Sequence, residues 1–171
     1  MHMLVTPISN AMVNRLILGQ TLTISGRIFT GRDAVLPRLV ALIKEGRLAD
    51  FGIDLEGSAI FHTAVSNAGV GPTSSNKLEI ETSISELSRA GVKLHLGKGA
   101  LKTETIEALH KHNAAFATVP PVTALLESKI KSRQLVAFPE EGMEALHMLV
   151  VEDFPAIISA IHGQTLFDNR P

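Results

Sequence analysis

Apolar residues along the chain keep two alternating rhythms. From Leu22 to Phe29 (Leu22-Thr23-Ile24-Ser25-Gly26-Arg27-Ile28-Phe29) they repeat every second position, the period of a half-buried strand. After Thr30-Gly31-Arg32-Asp33, the residues Leu36, Leu39, Val40 and Ile43 return at helical spacing, and Gly46 follows them. Thr30 with Asp33 three positions on resembles a capping box, with Asp in place of the usual Glu or Gln. Ala59-Ile60-Phe61-His62 reads as a short buried strand that runs into the glycine-rich stretch from Gly69 to Ser75. The spacing then predicts a helix from Ser75 to Ala90, stopped by Gly91, with Leu78, Ile84 and Leu87 facing the core. Val92 to Leu96 alternates again and ends in Gly97-Lys98-Gly99, and a helix is expected from Thr103 to His112. Ala115 to Val119 is a strand closed by Pro120-Pro121. Ala145 to Val151 and Ala156 to Ile161 are two more strand candidates, followed by a turn at Gly163-Gln164 and an extended piece from Thr165 to Phe167.

Strand, glycine-marked turn, helix: the unit recurs with no linker or low-complexity tract. It predicts one compact α/β domain over residues 1–171. In open α/β sheets such turns lie at the carboxyl ends of strands, where ligands bind.

Composition narrows the classes. Net charge is -1, so no large field draws the chain to nucleic acid or an anionic membrane. Seven Phe with no Tyr or Trp also argue against base-stacking surfaces. The absence of cysteine excludes disulfides and any cysteine-ligated zinc or iron–sulfur site on this chain. The first residues lack a basic region followed by an apolar core, and no apolar run is long enough to span a bilayer. A soluble cytoplasmic protein is expected, with neither nucleic acid nor membrane as partner.

Three turns pair a cation with glycine. In Thr30-Gly31-Arg32-Asp33, an arginine in the first turn of a helix opposes the helix dipole. An anion held by the guanidinium and the helix amides would account for it. A surface pair with Asp33 accounts for it equally. In Gly71-Pro72-Thr73-Ser74-Ser75-Asn76-Lys77, three successive hydroxyls stand where a helix N-cap needs one, and Lys77 lies in the first turn. A hydroxyl such as that of Thr73 relays a proton only with help from a neighbour. Gly97-Lys98-Gly99 removes bulk around an ammonium but lacks the flanking residues of a P-loop. Each turn is weak alone. Together they offer three cations at three strand ends, about what two carboxylates need.

Among the seven histidines, His62 is the best candidate for this site because it ends a buried strand beside the second turn. His95 alternates with Leu94 and Leu96 and is expected on the opposite face of the sheet. His110 and His112 read as a solvated helix end, and His147 as a structural histidine. No spacing suggests a metal site. Glu140-Glu141 and Glu79-Ile80-Glu81 read as solvated charges.

These segments, in this order, resemble the β-subunit of the iron–sulfur-dependent hydro-lyases, class I fumarase and L-tartrate dehydratase. The resemblance is carried by Gly26-Arg27-Ile28-Phe29-Thr30-Gly31-Arg32-Asp33-Ala34, Ile60-Phe61-His62, Val70-Gly71-Pro72-Thr73-Ser74-Ser75 and Val92-Lys93-Leu94-His95-Leu96-Gly97-Lys98-Gly99. Gly142-Met143-Glu144-Ala145-Leu146 and Phe154-Pro155-Ala156-Ile157-Ile158 add to it, so that it runs from Thr6 to Phe167.

The resemblance implies a swivelling β/β/α domain, with mixed sheets and flanking helices. It implies a partner α-subunit, in a hetero-oligomer expected to be α2β2, that carries a [4Fe–4S] cluster this chain does not ligate. By the same resemblance Arg32 and Lys98 grip substrate carboxylates and Thr73 joins the proton transfer, helped by an acidic residue of the partner. Lys77 falls where many relatives have arginine, which keeps the charge but loses the bidentate fork. With Asp33 and His62, these residues form the expected substrate-binding set. The implied reaction is the reversible hydration of fumarate to (S)-malate. Dehydration of L-tartrate or a methylated analogue, and a non-catalytic dicarboxylate-binding module, are the alternatives.

Overall fold

The computed structural model describes residues 1–66, 69–73 and 77–167, the side chains of 66, 69, 71–73 and 77–80 excepted. Its strands are β1 (His2–Val5), β2 (Thr21–Thr30), β3 (Ala59–Phe61), β4 (Thr63–Ser66), β5 (Gly69–Thr73), β6 (Leu94–Gly97), β7 (Ala115–Thr118), β8 (Ile130–Ala137), β9 (Leu146–Ile161) and β10 (Gln164–Thr165). Its helices are α1 (Asn10–Arg15), α2 (Leu36–Glu45), α3 (Lys77–Arg89), α4 (Thr103–Lys111) and α5 (Thr123–Ser128). The fold is mixed α/β, a sheet with flanking helices. Among the described residues no helix is long and apolar enough to cross a membrane.

Strands β2, β3, β6 and β7 run parallel in that order. Parallel neighbours need crossovers, and α2, α3 and α4 provide them. The long strand β9 pairs antiparallel with both β7 and β2, so the sheet closes on itself as a ring rather than remaining open. Alternation along the strands divides the core. Ile28, Phe61, Leu94, Leu96, Ala115 and Ala117 pack in one cluster with Leu149, Phe154 and Ile158 of β9. On the opposite face Phe29 and Ile60 meet Leu36 and Leu39 of α2 and Leu87 of α3. Phe116 meets Ile84 of α3 and Ile106 and Leu109 of α4. Each fully buried Leu or Ile here is worth about 1.5–3 kcal/mol.

The structure departs from the sequence expectations in several places. The two strands expected at 145–151 and 156–161 are one strand, Leu146–Ile161. Asp153 takes a left-handed φ of 55° inside it, and Pro155 is carried within the pairing against β2, so the chain stays in the sheet through the apparent break. Thr30 does not cap α2. It is the last residue of β2, and the helix starts six residues later at Leu36, with Val35 as an N-cap that makes no side-chain bond and Pro in the first turn. The stretch expected as a loop after His62 contains the β4–β5 hairpin, whose Val65 and Val70 join the first cluster. Strands β1 and β8 and helices α1 and α5 carry too little periodicity to be read: β8 exposes most of its residues. Of the expected helix at Ser75 to Ala90, Ser75 lies outside the described residues.

Gly91 ends α3 region at φ 118°, where an added Cβ would stand 2.8 Å from the Glu56 Cα. Gly46 ends α2 at φ 67°, with nothing within 4 Å of that position. Gly91→Ala is expected to lose more than about 2 kcal/mol of stability and Gly46→Ala about 1 kcal/mol. Urea unfolding of the two variants checks this, and equal losses would show that the approach to Glu56 is not felt.

Candidate functional site

Backbone hydrogen bonds continue the parallel pairing past the strand ends and bring the sequence-derived residues to one edge. The Gly31 amide donates to the Phe61 carbonyl at 3.1 Å, the His62 amide to the Leu96 carbonyl at 2.9 Å, and the Val119 amide to the Gly97 carbonyl at 3.1 Å. The Arg32 turn, His62 and the Lys98 turn therefore follow three neighbouring strands on the same side of the sheet.

Arg32 lies in the turn before α2, not in its first helical turn. The argument from an opposed helix dipole therefore does not apply to it. Gly31 lets this turn fold tightly, since an added Cβ would stand 2.8 Å from the Val35 Cγ2. The Arg32 Nε donates to Glu144 Oε1 at 2.9 Å, with both side chains part-buried. Asp33, next in the turn, is also part-buried. Glu144 was not picked out from the sequence, because nothing in the local pattern ties it to a residue 112 positions away.

Lys98 is exposed and makes no ion pair among the described residues. Gly97 beneath it is buried against the Phe116 ring, 3.1 Å from where a Cβ would stand. The side chains of Thr73 and Lys77 lie outside the described residues. Their backbone is placed: Thr73 pairs with Thr63 in the hairpin, and Lys77 is the first residue of α3.

His62 is buried behind this edge. Its Nε2 lies 3.1 Å from His95 Nδ1, and His95 Nε2 lies 2.9 Å from the Ser88 Oγ on α3. His95 thus faces the helices, opposite Leu94 and Leu96, as its alternation implies. Burial pushes His62 down to about 4. Burial, and then the neighbouring His62, holds His95 well below the ordinary histidine range. His147 is bonded to the Ala145 carbonyl through Nδ1 at 2.9 Å.

Of the glutamates expected as solvated charges, Glu81 differs, and the side chain of Glu79 lies outside the described residues. Glu81 is not a solvated charge: it is buried and accepts from the Lys102 amide at 2.5 Å. It thereby caps α4, whose own N-cap residue makes no side-chain bond. Glu140 and Glu141 are tied to Arg38 at 2.6 and 3.0 Å. The residues present do not fit a metal cluster. There is no cysteine, and among the described residues no group of three His, Asp or Glu is placed to hold an ion.

Comparison with known proteins adds a second line of support. The family described as fumarase C-terminus matches residues 2–170. The chain is 31% identical to the anaerobic class I fumarate hydratase of Escherichia coli strain K12, over 80% of this chain and 26% of that protein. It is 32% identical to the L(+)-tartrate dehydratase subunit beta of the same strain, over 95% of this chain and 85% of the relative. A protein named putative L(+)-tartrate dehydratase subunit beta in Methanocaldococcus jannaschii is 27% identical, over 91% and 86%. The chain spans about a quarter of the length of the fumarate hydratases it matches.

The buried histidines set a pH dependence. Their folded-state pKa values lie below the unfolded value of about 6.5. As pH falls below about 6.5 the unfolded chain takes up protons that the folded chain refuses, so stability is full above that pH and declines toward about 4. Each histidine contributes a slope of about 1.4 kcal/mol per pH unit in that window. Urea midpoints measured through this range should fall with pH, and His62→Gln should flatten the decline by about one histidine's share. A variant with the same slope as the parent would show that His62 is not the group refusing the proton.

Proposed function

This chain belongs to the fumarase C-terminus family, and we propose that it serves as the β-subunit of a two-chain hydro-lyase acting on a small dicarboxylate. The observation that carries this reading is the shared edge: Arg32, His62 and Lys98 follow adjacent parallel strands, and Lys77 opens a helix beside them in the chain order. The match to a tartrate dehydratase β-subunit over most of both chains supports the division into two chains. In this reading residues 1–171 form one swivelling β/β/α domain. It closes over a cytoplasmic α-subunit in an α2β2 assembly and excludes water from the substrate.

The reaction we infer is reversible hydration of fumarate to (S)-malate. Arg32 binds one carboxylate, its guanidinium plane held by Glu144, with Asp33 beside it in the turn. Lys98 and Lys77 bind the same carboxylate or the other. Breaking the C–H bond builds negative charge beside a carboxylate, and these cations stabilise it. Thr73 carries the proton, helped by an acidic residue of the partner. A [4Fe–4S] cluster belongs on the α-subunit, because this chain has no thiolate to hold one. Dehydration of L-tartrate is the second reading, favoured by the fuller coverage of the tartrate dehydratase relatives.

The test is to assemble the chain with its candidate α-subunit, rebuild the cluster without oxygen, and assay fumarate, tartrate and mesaconate. Conversion of one of them is expected. A complex that forms and converts none leaves only a dicarboxylate-binding module. Activity of this chain alone without iron would overturn the two-chain reading. In the assembled enzyme Lys98→Ala should raise KM by at least about tenfold and lower kcat, the effect of losing a charged hydrogen bond, with an unchanged unfolding midpoint. Unchanged kinetics would remove Lys98 from the site.

A further inference from the structure

Behind the strand-end edge lies a chain of three buried groups, Ser88, His95 and His62, exposed by 2%, 0% and 1%. Ser88 Oγ meets His95 Nε2 at 2.9 Å, and His95 Nδ1 meets His62 Nε2 at 3.1 Å. The far end of the chain, His62 Nδ1, is buried with no hydrogen-bond partner among the described residues. The direction of the protons follows from counting donors. Among the described residues the Ser88 hydroxyl has no hydrogen bond other than that to His95, so its proton has one acceptor there, His95 Nε2. A neutral His95 then carries its proton on Nδ1 and donates it to His62 Nε2, and a neutral His62 carries its own on Nδ1. This order leaves one group unsatisfied, the His62 Nδ1–H. The reverse order leaves two, the serine proton and the His62 Nδ1 lone pair. Each unmet buried group is a cost to the folded state, so the first order is favoured.

The unmet donor sits where a ligand is expected. His62 directly follows β3, and its amide bonds to β6 just before the Lys98 turn. Gly97 lies beside it: a Cβ there would stand 3.9 Å from the His62 Cβ, an ordinary contact distance. The next residue, Thr63, pairs with Thr73 across the hairpin. A buried N–H without an acceptor is rare in folded proteins and calls for an explanation.

We propose that Ser88 and His95 are positioning residues that hold His62 as the neutral Nδ1–H tautomer, and that this N–H donates to a carboxylate oxygen of the bound dicarboxylate. The proposal rests on the dicarboxylate reading of the same edge and adds residues to it. A neutral donor suits this place. It strengthens as negative charge builds on the carboxylate, as neutral imidazole donors do in other enzymes, and it adds no positive charge to an edge that already carries Arg32 and Lys98.

The first test needs no activity. Long-range proton–nitrogen NMR of the chain labelled at histidine nitrogen, assigned with His62→Gln and His95→Gln, should show both residues as neutral Nδ1–H tautomers. Succinate titrated into the complex with the α-subunit should move the His62 Nδ1–H signal. Ser88→Ala should leave the chain folded but let His95 mix its two tautomers. In the assembled enzyme Ser88→Ala should lower kcat about tenfold with little change in KM, the loss of one positioning hydrogen bond, and Ser88→Thr should restore it. An Nε2–H tautomer at His62, or a Ser88→Ala variant with parental tautomers and kinetics, overturns the relay while leaving the dicarboxylate reading intact. Succinate that binds without moving His62 overturns the contact. Succinate that fails to bind while the tautomers hold overturns the dicarboxylate reading and, with it, the acceptor assigned to His62.

Discussion

The feature on which the rest depends is the parallel alignment of β2, β3, β6 and β7. Its backbone bonds do not stop at the strand ends but run on through Gly31, His62 and Val119. Each bond fixes where the next turn leaves the sheet. Parallel strands joined through helices send their turns out on the same side. That is why Arg32 and Lys98, 66 positions apart by their numbers, share an edge. The antiparallel strand β9 holds this alignment from behind by pairing with both flanks. It makes a ring of what would otherwise be an open sheet with two exposed edges.

The charges are sorted by the same geometry. Glu144 takes the Nε of Arg32, and Glu81 is spent on the start of α4. Arg38 takes Glu140 and Glu141 and lies over the Phe138 ring at 4.2 Å. Behind the edge the two histidines stay neutral because burial penalises their charged forms. A neutral interior with cations toward the front is an arrangement suited to an anionic ligand: the field comes from the turns, and the interior adds donors without repelling them.

Much of this was legible along the chain. The rhythm of two marked β2 and β6, an apolar run closed by Pro120-Pro121 marked β7, and helical spacing marked α2 and α3, because polar and apolar positions follow the period of each element. Gly46 ends its helix in the left-handed conformation that the reading requires. The strand-end positions of His62 and of the turns that carry Arg32 and Lys98 were legible, because glycine-marked turns follow the buried strands. The absence of cysteine excludes a cysteine-ligated cluster on this chain.

What the sequence could not decide were matters of partnership. A strand such as β8, exposed along most of its length, has no apolar period to betray it and exists because β9 offers it a ladder. Residues 145–161 looked like two strands because Asp153 and Pro155 break the local pattern. The long pairing with β2 overrides that break. Glu144 meets Arg32 across 112 positions, and His95 meets His62 across 33. A local pattern reports which face of an element is buried, not what lies against it. Periodicity determined the elements and the cations at their ends. The three-dimensional fold decided which acid restrains Arg32, and it joined two histidines that look unrelated in the sequence in one hydrogen-bonded chain.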